Sequence, residues 1–335
     1  MRHAFLTPRL RFAAAGIGTA ALAGALALGP TTGAFAAPHG HATGAHVTTV
    51  SLDGKTYHLV LGPKLGIKPI HASAATVAKS QLSVHSSAST GVVTPTPKVF
   101  VVFWGSQWSK DPASIKKFAP AFFKNLFGSA DTWGTILNQY CEGVAKGTVT
   151  CGSSGIHINH PTASILGGVF MDTSAAAPSH ATAGQIAAEA VKAAKHFGQT
   201  ATDDLNSQYV VASAHGTHPD GFPNSGFCAY HSSTSGTGVG KVAFTNMPYI
   251  HDLGNTGCTT LPNPNAQDGW FSTETHEYAE TDTDVFPAAG WLDSGGSEIG
   301  DLCVQLDGTE TLGGVAYDVQ GLWSNLDKKC VTKGP

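Results

Sequence analysis

His276, Glu277 and Glu280 lie within five residues of one another, and Thr281-Asp282-Thr283-Asp284 and then Glu298-Ile299-Gly300-Asp301 follow them. On a helix over residues 272–281, His276 and Glu280 stand one turn apart and project from one face, as two ligands of a single metal ion must. Glu277 then points about 100° round the helix, where its carboxylate can act on water at the ion without ligating it. The chemistry these types and spacings imply is metal-assisted hydrolysis with Glu277 as general base.

The spacing is that of the His-Glu-x-x-His helix of zinc peptidases with the second His replaced by Glu, a change that zinc tolerates because carboxylate oxygens are ordinary ligands. A catalytic zinc needs three protein ligands and an open position. Glu298 is the expected third ligand, with Asp293 and Asp301 as rivals. Asp301 is otherwise expected to orient His276 through its free ring nitrogen, a task carboxylates often perform. His231, beside Tyr230 on a segment that Cys228 would fix, is expected to stabilise an oxyanion. His215 and His218 offer a further ligand. Calcium is the alternative ion, since Asp282, Asp284, Asp293, Glu298 and Asp301 form an oxygen-rich, glycine-interrupted run. In the plainest alternative, His276 and Glu280 are an exposed pair and the acids are simply solvated. No G-x-S-x-G, G-x-G-x-x-G or P-loop is present, so serine hydrolysis and nucleotide cofactors are not implied.

Arg2, Arg9 and Arg11 precede an apolar run from Ala13 to about Leu28, and Ala34-Phe35-Ala36 suits a signal peptidase. Residues 1–36 are therefore read as a signal peptide, and the mature chain as secreted, extracellular and free of the membrane. Its loss takes three arginines from the 19 Lys plus Arg and leaves 16 lysines against 23 Asp plus Glu. An acidic chain without guanidinium groups is poorly equipped for nucleic acid. Its partner is expected to be an extracellular peptide or protein substrate, or cell-wall material. Six cysteines follow the signal, which in an exported chain implies three disulfides. Sequential pairing, Cys141–Cys151, Cys228–Cys258 and Cys303–Cys330, closes short surface excursions.

The elements that must hold these residues begin late. Residues 37–96, rich in Ala, Ser, Thr, His and Gly, read as a flexible arm or a pro-segment with only short strand-like pieces such as Tyr57 to Leu61. Residues 97–335 read as one α/β (α+β) domain with a mixed sheet and disulfide-stapled loops. Val99 to Trp104 is a strand buried on both faces. Residues 112–128 and 131–140 read as helices, with Phe118, Phe122, Phe123 and Phe127 turned inward. Ile165 to Phe170, helix 182–197 and Tyr209 to Ser213 form a strand–helix–strand unit, which implies a parallel pair. Val242 to Phe244 adds another strand.

Several segments carry a resemblance in order along the chain. They are Val101-Val102-Phe103-Trp104-Gly105, Phe227-Cys228-Ala229-Tyr230-His231-Ser232, His276-Glu277-Tyr278-Ala279-Glu280, Gly290-Trp291-Leu292-Asp293, Glu298-Ile299-Gly300-Asp301-Leu302-Cys303, and Leu322-Trp323-Ser324-Asn325. From Lys98 onward the chain resembles the phosphate-induced/EXORDIUM-like secreted family, whose plant members are tied to the cell wall and growth. The resemblance implies an extracellular protein with a zincin-like domain. Asp284 is followed by Val285-Phe286-Pro287, which departs from that family's usual run after the helix and implies a reshaped loop exit. Two functions follow as expectations: a secreted zinc metallopeptidase, or a noncatalytic wall-associated protein with a structural or lost metal site.

Overall fold

The computed structural model describes residues 46–52, 54–61, 65–66, 81–128, 130–159, 164–235, 238–254 and 257–334. The expected signal peptide lies outside them. Seven strands make up the main path of a mixed sheet: β1 (His46–Leu52), β2 (Lys55–Leu61), β3 (Lys98–Trp104), β4 (Leu166–Asp172), β5 (Ser207–Ser213), β6 (Phe227–Ser235) and β7 (Val242–Met247). Their spatial order is β1-β2-β6-β7-β5-β3-β4, and the two-residue strand Leu65–Gly66 also pairs with β6. The strands from β4 to β7 run parallel, whereas β6, β2 and β1 continue the sheet in antiparallel pairs.

The apolar run in β3 takes the place its composition demands, between two parallel neighbours. Val99, Val101 and Phe103 face one core while Phe100 and Val102 face the other. Three α-helices lie among the described residues: α1 (Ile115–Asn125), α2 (Ala183–His196) and α3 (Asp268–Thr283). Helices α1 and α3 pack into the first core, and α2 packs into the second through Ile186, Ala187, Ala190 and Val191. The result is a sheet with helices on both faces. Helix α2 starts with a reciprocal capping box between Thr182 and Gln185.

Some expected elements differ. β4 and β5 are parallel but not adjacent, because β3 lies between them. Helix α1 is shorter than 112–128: its N-terminus is capped by the Asp111 carboxylate, which accepts from Ile115 N and Lys116 N at 2.9 Å. At its other end Leu126 turns extended and Phe127 takes φ 62°. The segment 131–140 is a 3-10 turn over Gly134–Gln139, not an α-helix.

The described parts of the expected arm belong to the packed structure. β1 and β2 form a hairpin that joins the sheet beside β6, with Leu61 opposite Ser232. Ser83 and Val84 pair with Leu292 and Trp291. Val92 N donates to Glu142 Oε2 at 3.2 Å, and Thr94 N donates to the Asp282 carbonyl at 2.9 Å.

The disulfides are Cys141–Cys151, Cys228–Cys258 and Cys303–Cys330, the sequential pairing, with separations of 10, 30 and 27 residues. They fit an oxidising, extracellular environment. Among the described residues no helix is long and apolar enough to cross a membrane.

Candidate metal centre

Helix α3 has no apolar stripe, yet all sixteen of its residues are buried. Trp270, Phe271, Tyr278 and Ala279 enter the first core, while its other residues are mostly polar and would ordinarily face water. The helix is enclosed because β6 packs on one side and a hairpin, β8 (Asp307–Leu312) with β9 (Val315–Gln320), packs on another. Three of its hydroxyls are satisfied within the helix: Thr275, Thr281 and Thr283 donate to the carbonyls of Phe271, Glu277 and Ala279 at 2.8, 2.8 and 2.9 Å. Asp282 accepts from Thr94 Oγ1 and Gln208 Nε2, and Asp284 accepts from the backbone N–H groups of Ala288, Ala289 and Gly290.

The expected one-turn pair is formed, with His276 Nε2 3.0 Å from Glu280 Oε1. The expected loop arrives beside it. Asp301 Oδ1 lies 3.9 Å from His276 Nε2, and Asp301 N donates to Glu280 Oε1 at 3.1 Å. Glu298 and His231 meet from elements 67 residues apart, the His231 Nε2 standing 3.1 Å from both Glu298 oxygens and 3.9 Å from Glu280 Oε2. His231 reaches this face because it sits opposite Thr245 in β6, whereas its neighbour Ser232 sits opposite Phe244, part of the other core. Two triads therefore have the donors and proximity to hold an ion, His231/Glu280/Glu298 and His276/Glu280/Asp301. Two atoms each about 2.1 Å from a tetrahedral zinc stand about 3.4 Å apart, in the middle of the 3.0 to 3.9 Å separations here.

The electrostatics ask for a cation. His231, His276, Glu277, Glu280 and Glu298 are fully buried, and the Asp301 side chain alone keeps some exposure, 14%. The ion pairs of these carboxylates among the described residues are all with the two histidines. Burial first, and then the charge of neighbouring carboxylates, pushes Glu277, Glu280 and Glu298 well above the usual carboxylate range. Neither Glu277 oxygen has a hydrogen-bond partner, nor does Glu280 Oε2. Buried polar atoms left unsatisfied are costly and uncommon.

Several expected roles shift. His231 joins the ligand cluster through Nε2, so it is not placed as a separate oxyanion group. The group on His276 Nδ1 is Gln320, whose Nε2 lies 2.8 Å from that nitrogen and 2.8 Å from Gly300 O; Asp301 faces the opposite nitrogen. Nothing in the local sequence around Gln320 signals this, since the contact spans 44 residues. Asp293 closes its own loop by accepting from Gly295 N and Ser297 N. With Asp282 and Asp284 also engaged elsewhere, the five acids of the calcium arrangement do not converge. His215 pairs with Asp252 at 2.5 Å and His218 Nδ1 lies 3.1 Å from Phe222 O, so neither joins the cluster. Burial, and after it the charge and hydrogen bond of Asp220, hold the Tyr230 hydroxyl protonated.

Fold and site together define a disulfide-braced mixed α/β protein with a buried His/carboxylate centre. No family model, curated protein or solved structure matches the chain.

Proposed function

We propose that the protein is a secreted metal-dependent hydrolase, a zinc metallopeptidase with a zincin-like catalytic helix. The observation that carries this reading is Glu277: a fully buried carboxylate with neither oxygen hydrogen-bonded, on the same helix as His276 and Glu280. Glu274 of the same helix is equally buried and bare but is perturbed by burial alone, whereas Glu277 also feels the charges of Glu280, Glu298 and Asp301. An acid kept bare beside ligand atoms suits a general base.

Either triad, His231/Glu280/Glu298 or His276/Glu280/Asp301, would hold an ion and leave a position open. Two imidazoles among the donors favour zinc over calcium. A divalent ion there supplies Lewis acidity to a carbonyl and to water. Glu277 takes the proton from the attacking water and delivers it to the leaving amine, a role its raised proton affinity suits. The partially exposed Asp301 marks the side from which substrate approaches. The resemblance to the EXORDIUM-like family rests on the motifs that carry these residues and supports an extracellular setting.

Complete burial of His231, Glu277, Glu280 and Glu298 favours a second reading, a noncatalytic extracellular or wall-associated protein with a structural ion. The two readings separate in one experiment. The chain from Ala37 onward is loaded with zinc and incubated with a mixed peptide library, because β1 and β2 belong to the sheet and must be kept. Hydrolysis that falls about 10²- to 10⁴-fold in Glu277→Gln, with zinc content unchanged, supports the peptidase. Zinc retention without cleavage above the Glu277→Gln background removes it in favour of the structural reading.

A further inference from the structure

Glu280 presents its two oxygens to different partners. Oε1 is 3.0 Å from His276 Nε2 and accepts from Asp301 N, whereas Oε2 points towards His231 Nε2 at 3.9 Å. Glu298 lies on the His231 side only, with both oxygens 3.1 Å from that imidazole, and Asp301 Oδ1 lies 3.9 Å from His276 Nε2. Each histidine thus has its own carboxylate, and Glu280 is the one residue the two triads share.

We propose that Glu280 bridges two divalent metal ions, one held by His231 and Glu298 and the other by His276 and Asp301. The proposal rests on the metal-centre reading above and deepens it. A carboxylate spanning two ions offers one oxygen to each, and paired ions in hydrolytic sites sit about 3.5–4 Å apart. The ligand atoms of each triad already lie within 4.8 Å of one another. Glu280 Oε2 is fully buried without a hydrogen-bond partner, as expected of an atom whose partner is an ion.

Glu277, Glu280, Glu298 and Asp301 surround two imidazoles, and among the described residues none of these acids pairs with a lysine or arginine.

The test is the stoichiometry of the wild-type mature chain. Protein stripped by chelator is dialysed against zinc and assayed by elemental analysis, and a parallel sample loaded with Mn(II) is examined by electron paramagnetic resonance. The expected results are about two zinc ions per chain at saturation and an exchange-coupled manganese signal. His231→Ala and His276→Ala should each retain about one ion, and Glu280→Gln should weaken both. One ion per chain in the wild type, with an uncoupled manganese spectrum, overturns the bridge while leaving a mononuclear centre intact. No bound ion overturns both.

Discussion

Gly300→Ala isolates the geometry of the centre from its chemistry. Gly300 has φ −81° and ψ −39°, a conformation alanine adopts freely, so the substitution costs nothing in the backbone. The added Cβ, however, would meet His276 Nδ1 at 2.5 Å and its Cε1 and Cγ at 2.9 Å, where ordinary contacts are 3.4–4 Å. The imidazole must retreat by about 1 Å, as judged against normal close-packed separations. It cannot do so and keep both Nε2 3.0 Å from Glu280 and the Nδ1 contact to Gln320. Overpacking of this kind costs about 1–3 kcal/mol, or several degrees of melting temperature at about 2–4 °C per kcal/mol. Displacing a ligand by way of its supporting shell typically weakens metal affinity about 10- to 100-fold. Calorimetric melting and zinc competition against a chelating dye read the two effects. Gly152→Ala is the control, because a Cβ there meets nothing within 4 Å. If Gly300→Ala matches the control in both melting temperature and zinc affinity, the close packing of Gly300 on His276 is not a feature of the protein.

Replacing Cys303 and Cys330 together by alanine should cost on the order of 3 kcal/mol in the chain-entropy account, since the bond closes a separation of 27 residues. It should also weaken zinc binding, because Cys303 lies in the same short 3-10 turn as Asp301; denaturant titration and zinc competition test the two parts. Glu189, on α2 and away from the centre, gives a pH signature: burial, and then the charge of Asp172, pushes its carboxyl up from 4.5 to about 8 against the opposing pull of Lys192. Between those values the folded chain holds a proton that the unfolded chain releases, so this group's contribution to stability is present at low pH and declines as pH rises through the window. Glu189→Gln should therefore gain in melting temperature on the wild type between pH 5 and pH 8, and parallel melting curves would refute the assignment.

The parts of the fold that sequence makes legible are those whose signal is local. The β3 run from Val99 to Phe103, the capped α2 and the one-turn spacing of His276 and Glu280 each fit inside one element, and each lands where expected. Sequential disulfides were legible for the same reason, as they close short stretches. Hidden features depend on contacts across the chain. Residues 46–61 read as an arm because their Thr, Ser and His content gives a weak strand pattern; the edge of β6 supplies the partner that fixes them. β3 comes between β4 and β5 through a sheet order that no connection length specifies. His231 meets Glu298 across 67 residues, and Gln320 meets His276 across 44.

The acids of α3 and its exit differ in how they are held. Asp282 is held by Thr94 and Gln208, and Asp284 by three backbone N–H groups, although burial still pushes both up to about 8. These two fasten the N-terminal segment and the loop after the helix. Glu277 and Glu280 Oε2 have no such partners at equal burial. A helix selected for packing alone would carry apolar residues at those positions, since an isolated buried carboxylate destabilises by several kcal/mol. Part of that cost falls on Glu280, which gathers His231, His276, Glu298 and Asp301, and a functional site is where a protein departs from local consistency in this way. Glu274, one turn before Glu277 on the same helix, is equally buried with both oxygens bare, so it is the gathering of His231, His276, Glu298 and Asp301 around Glu280, and not bareness alone, that marks the centre.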